Sequence, residues 1–266
     1  MATTFLIYAA VGAVAGVLAG LLGIGGGLVI VPMLVFCFTL QKVDPGLIMH
    51  LALGTSLASI IFTSTSSFRA HHKRGAVRWD VVKRITPGIL LGTFLGSCLA
   101  SRLHTTILKG IFVVFLYYVA TQMIVGKKPP ASRQLPGVAG IFGAGNVIGA
   151  FSSLVGIGGG TLSVPFLTWC NIPVHHAIGT SSAIGLPIAL AGAFGYVVNG
   201  LGASGLPSTA LGYVHGAALF GIICFSVLTA PLGAKLAHSL PVDKLKRVFA
   251  ILLYVVATRM FWGVIF

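Results

Sequence analysis

LLGIGGGLVIVP, residues 21–32, returns in the second half of the chain as SLVGIGGGTLSVP, residues 153–165, with Gly156 standing 133 residues after Gly23. HLALGTSLA from His50 answers HHAIGTSSA from His175 at an offset of 125, and VATQM from Val119 answers VATRM from Val256. Three matched blocks in one order make the chain an internal duplication. In a sequence this apolar, duplicated halves point to a transporter whose site lies where the two copies meet.

The composition requires lipid. Of 266 residues, 56% are hydrophobic and 8% charged, against about 25% charged in soluble domains. Apolar tracts run over residues 5–40, 46–68, 85–101, 107–125, 136–170, 176–198, 207–232 and 248–266, most of them near the ~20 residues that a spanning helix needs. They leave no room for a folded domain outside the membrane. No basic stretch precedes the first tract, so no signal-peptide cleavage is expected. The net charge of +14 sits in short loops between tracts rather than on one solvated face, which sets nucleic-acid binding aside. Cys37, Cys98, Cys170 and Cys224 lie within apolar tracts without a C-x-x-C pair and read as small buried hydrophobes.

Loop charges choose between two topologies. Eight simple crossings place nine Lys and Arg (Arg69–Arg84 and Lys127–Arg133) against seven (Lys42, Arg102, Lys109, Lys235, Lys244, Lys246 and Arg247). If the first tract of each half enters and returns as a hairpin broken at its glycines, the 69–84 loop, the linker and the 235–247 loop share one side. Thirteen basic residues then face Lys42, Arg102, Lys109 and Arg259, as the positive-inside rule demands. The expectation is an all-α membrane protein of two inverted repeats, each a broken first hairpin or helix plus three transmembrane helices, with both termini outside. The repeats span residues 1–126 and 136–266, joined by a basic cytoplasmic linker at 127–135.

Gly-Ile-Gly-Gly-Gly cannot hold a helix, since each glycine costs about 1 kcal/mol relative to alanine. A broken helix in lipid must turn its freed N–H and C=O groups toward protein or a water-filled cavity. Pro32 and Pro165 then suit the first turn of a new helix, whose bare amides bind anions without a lysine. The amides of Gly25, Gly26, Gly27, Gly158, Gly159 and Gly160 are therefore the candidate substrate contacts. Hydroxyls of Thr55, Ser56, Thr180 and Ser181 would line the same place, or else bond back along their own helices. His50 and His175 correspond and are candidates for gating; Trp169, Asn171 and Arg259 are candidate outer contacts. The spaced glycines Gly12, Gly16 and Gly20 form a helix-packing face, on which Gly16→Ala is expected to affect anion binding much less than Gly26→Val or Gly159→Val.

The paired glycine-proline motif, the GTS blocks and the basic central loop resemble the TauE/SafE family, the sulfite exporter or toluene-sulfonate uptake permease group, over essentially the whole chain. That resemblance implies a multi-pass protein of the bacterial inner membrane transporting sulfite, a sulfonate such as sulfoacetate, or thiosulfate; it fixes neither substrate nor direction. The small anion and the lipid bilayer are the implied partners, and the sequence sets no oligomeric state.

Two rival classes lack their residues. A membrane-embedded enzyme needs a nucleophile with a base, or a metal with carboxylate or histidine ligands. No carboxylate lies inside an apolar tract, and His215 is the one deep histidine candidate, so no catalytic residue, metal or cofactor is expected. A cation transporter would usually line its path with Asp or Glu, although carbonyls at the glycine breaks could hold sodium and couple it to anion uptake.

Overall fold

Both long glycine-interrupted tracts are pairs of helices. The computed structural model describes residues 2–22, 26–126, 134–236 and 242–265. The first half contains α1 (Ala2–Leu22), α2 (Gly27–Leu40), α3 (Ile48–His72), α4 (Trp79–Arg102) and α5 (Thr105–Val125). The second repeats the order with α6 (Val138–Val155), α7 (Gly160–Trp169), α8 (Val174–Gly200), α9 (Gly216–Leu236) and α10 (Val242–Ile265). Among the described residues, α3, α5, α6, α8 and residues 216–233 of α9 are long and apolar enough to cross a membrane. Gly25 and residues 127–133 of the expected linker lie outside the described residues.

Each new helix starts directly behind a glycine in the left-handed region, Gly26 at φ 80° and Gly159 at φ 75°. Pro32 and Pro165 consequently fall in the second turn, not the first as the sequence suggested. The helix begins as soon as φ returns to negative values, before the β-branched run leading to each proline. One i→i−4 bond is lost to each ring.

Helices of the two halves interleave. Along α3 and α8 the contacts run in opposite directions: Ser67 meets Ser182, Ser64 lies beside Gly185, Leu57 beside Gly192, and Gly54 against Tyr196. The two helices are antiparallel. So are α5 and α10, where Tyr117 bonds Thr258 and Thr121 bonds Tyr254. By contrast α1 runs parallel to α9, and α4 to α6. A Cβ at Gly16 would sit 2.7 Å from the Ser226 Cα, and one at Gly92 2.7 Å from the Asn146 Cα. These are backbone-to-backbone seams held by dispersion between small residues. Gly12 and Gly16 do pack helices, and the seam leaves no space for a methyl, so Gly16→Ala forces α1 and α9 apart.

A two-residue hairpin, β1 (Ala210–Leu211) with β2 (Val214–His215), precedes α9 and was not foreseen. Its turn glycine, Gly212 at φ 54°, lies against Val197 of α8. It folds back so that the Tyr213 amide donates to the Tyr196 carbonyl at 3.2 Å.

Candidate functional site

The two glycine breaks meet in the interior. Gly26, Gly27 and all of Gly156–Gly160 are buried. A Cβ on Gly27 would lie 2.9 Å from the Ile157 Cα and nearer still to the Gly156 carbonyl. The start of α2 thus rests on the break of the other half. Around Gly158, the Cβ direction of Gly185 meets its carbonyl at 3.0 Å and the Ser64 hydroxyl at 2.7 Å, so the second break sits against the middle stretches of α3 and α8. Neither helix start has a side-chain cap. The first amides of a helix have no intrahelical acceptor and together carry about half a positive charge. Two uncapped helix starts in one buried region can hold a small anion without any basic residue.

The GTS hydroxyls are bound across the interface between halves. Thr55 Oγ1 accepts the His215 amide at 2.8 Å, and Thr180 Oγ1 accepts the Arg78 amide at 3.0 Å. His215 and Arg78 each precede the fourth helix of a half, so each threonine closes the start of a helix belonging to the other half. Ser56 donates to the Gly156 carbonyl at 2.7 Å and fixes the second break to α3. Ser181 is buried at the equivalent place in α8. None of these three bonds is the local back-bond along the helix. Two further struts correspond in the same way: His71 Nε2 lies 2.9 Å from the Gly20 carbonyl, and the Tyr196 hydroxyl donates to the Ser153 carbonyl at 3.0 Å.

The remaining candidates lie farther out. His50 is buried near the start of α3, with Nε2 3.2 Å from the Ala100 carbonyl and its ring 5.0 Å from that of Tyr213. His175 is exposed at the start of α8. Trp169 ends α7 half-buried, and Asn171 is exposed with φ 62°. Arg259 on α10 is exposed, its guanidinium 5.7 Å from the centre of the Phe36 ring. The structure does not bring these five to the breaks. His215, deep in the sequence, is buried beneath Phe38, ring centres 5.2 Å apart, and its Nδ1 accepts the Ala218 amide at 3.2 Å. Asp44 and Asp80 are exposed at helix ends, the latter paired with Arg78 at 2.8 Å.

Sequence reasoning missed three hydroxyls at the second break. Ser152 in the last turn of α6 and Thr161 and Ser163 in the first turns of α7 are buried, and none has a partner among the described residues. From the Cβ direction of Gly159, Ser163 Oγ is 3.4 Å and Ser152 Oγ 3.6 Å away. Aligning the motifs places Ala19, Leu28 and Ile30 at the matching positions of the first break. That difference between the copies was the available signal.

A family model described as sulfite exporter TauE/SafE matches residues 8–260. A probable membrane transporter protein of Haemophilus influenzae is 41% identical over 263 residues, covering 98% of this chain and 99% of its own. The probable membrane transporter protein YunE of Bacillus subtilis is 28% identical over 74% of this chain and 80% of its own. For MJ0441 of Methanocaldococcus jannaschii, also called a probable membrane transporter protein, the values are 31%, 65% and 65%. No solved structure matches the chain.

Proposed function

We propose that this chain, which belongs to the TauE/SafE family of membrane transporters, exports a small sulfur-containing anion across the bacterial inner membrane. Sulfite, thiosulfate and organosulfonates such as sulfoacetate are the substrate class. The observation that carries the reading is the packing of the glycine-opened start of α2, at Gly27, on the second break at Gly156 and Ile157, just ahead of the equally uncapped start of α7 at Gly160, all of it buried. The amides of Gly26, Gly27 and Gly158–Gly160 bound the buried region offered to the anion. Ser56 fixes the second break to α3, and Thr55 and Thr180 hold the starts of α9 and α4 against the central helices, with Ser181 buried beside Thr180.

In this reading residues 1–126 and 136–266 are inverted repeats, with the linker and the other basic loops in the cytoplasm. The supporting geometry is that corresponding helices, α3 with α8 and α5 with α10, run antiparallel. Repeats related by an axis along the membrane normal would have them parallel. An anion leaving a cell whose interior is negative gains about 2.3 kcal/mol per charge per 100 mV. Export therefore needs no coupled ion. The test is flux in proteoliposomes loaded with labelled sulfite or sulfoacetate, against labelled sodium alone. Anion efflux is the expected result, and sodium flux without any anion flux overturns the reading.

A further inference from the structure

We infer that the anion is held at one break only, the second, where the Ser152 and Ser163 hydroxyls join the first amides of α7 as its donors. The inference rests on the anion-transport reading and names the contacts within that site. Both hydroxyls are fully buried, lack a partner among the described residues, and converge beside Gly159. Several helical hydroxyls elsewhere in the chain take the carbonyl four residues back, as Thr39 does with Val35, Thr86 with Val82 and Ser182 with Ile178. Ser163 forgoes that bond; the Gly159 carbonyl receives its amide at 2.7 Å instead. A buried donor without an acceptor is costly, and an oxyanion in front of the α7 start would accept from both hydroxyls and from the amides of Gly160 and Thr161. Several donors converging on one place suit the several oxygens of a sulfite or sulfonate head.

The first break offers no such set. Ala19 and Ile30 stand where Ser152 and Ser163 stand, and Ala15 packs onto Gly26, its carbonyl 2.9 Å from the Cβ direction. The two halves share a fold but not a ligand set. One break binds, and the other, through Gly27 on Gly156, supports it.

Titration calorimetry of the purified full chain with sulfite tests this. The expected result is one sulfite per chain, weakened about tenfold to a hundredfold by Ser152→Ala and by Ser163→Ala, with melting temperatures unchanged. Ser163→Cys, which keeps the volume with a poor donor, repeats the test if an alanine variant loses its fold. Wild-type affinity in the folded double alanine variant would mean that the hydroxyls hold only water, and two equal sites per chain would deny the asymmetry. Either result overturns the inference while leaving anion transport standing. A wild-type protein that binds neither sulfite, thiosulfate nor sulfoacetate overturns both.

Discussion

Thr55→Val and Thr180→Val keep side-chain volume and remove one acceptor each, and the structure gives them different costs. Thr55 is wholly buried, and the amide it accepts belongs to His215, itself only 6% exposed. No water reaches that N–H when the hydroxyl is gone, so the loss is the full penalty of an unsatisfied buried donor, about 1–3 kcal/mol. Thr180 is equally buried, but its donor is the amide of the exposed Arg78. Solvent replaces the lost acceptor there, and the cost falls to about 0.5–1.5 kcal/mol, the net worth of an ordinary hydrogen bond. Unfolding of the purified protein in mixed micelles with increasing SDS measures both. Sulfite affinity of the folded variants should stay at the wild-type value, because these hydroxyls hold helix starts. Equal costs in the two variants, or none for Thr55→Val, refute the capping argument. A fully stable Thr55→Val that no longer binds sulfite assigns the hydroxyl to the anion instead.

Gly26→Val and Gly159→Val should abolish sulfite binding, since both glycines have positive φ and a branched side chain is strained there; Gly110→Ala, with nothing within 4 Å of its Cβ direction, should bind normally. Single cysteines placed in the 69–84 loop and in the 235–247 loop should both resist a membrane-impermeant reagent in intact cells, and labelling of just one ends the inverted topology. Efflux from proteoliposomes should follow voltage and substrate gradient and persist with proton and sodium gradients clamped at zero. Efflux that stops under the clamp refutes uniport and redirects attention to His50, His175 and His215 or to the carbonyls at the breaks.

The helix breaks were legible because consecutive glycines act through the backbone, and backbone cost depends little on tertiary context. The division of the tracts over 5–40 and 136–170 into two helices each followed from that. Pro32 and Pro165 misled by a turn because proline marks a compatible position and not the first one. The Gly16 seam was readable as packing, but its tightness was not. Whether a methyl fits depends on how α9 approaches α1, and no residue of α1 encodes that distance. The capping role of Thr55 and Thr180 was likewise hidden. Their partners, His215 and Arg78, lie 160 and 102 residues away in sequence. Repetition drew attention to what the two halves share, while Ser152 and Ser163 sit where they differ.

The packing also limits how the molecule can rearrange. Glycine seams bring α1 onto α9 and α4 onto α6 with backbone atoms in contact. A seam of that kind has no long side chain to swing, and sliding it by a fraction of a turn drives a neighbouring side chain into backbone. Each of these pairs, made of one helix from either half, therefore moves as one body. The α3/α8 seam carries the hydroxyl contacts Ser64 to the Ser182 carbonyl and Ser67 to the Ser182 hydroxyl, where the α1/α9 seam has Thr229 donating to the Ala13 carbonyl. Thr55 and Thr180 tie these central helices to the starts of α9 and α4. A shift of α3 against α8 is thereby transmitted to both outer pairs in opposite senses. In the proposed transport reading, that relation is what would open the buried breaks to one side and then to the other.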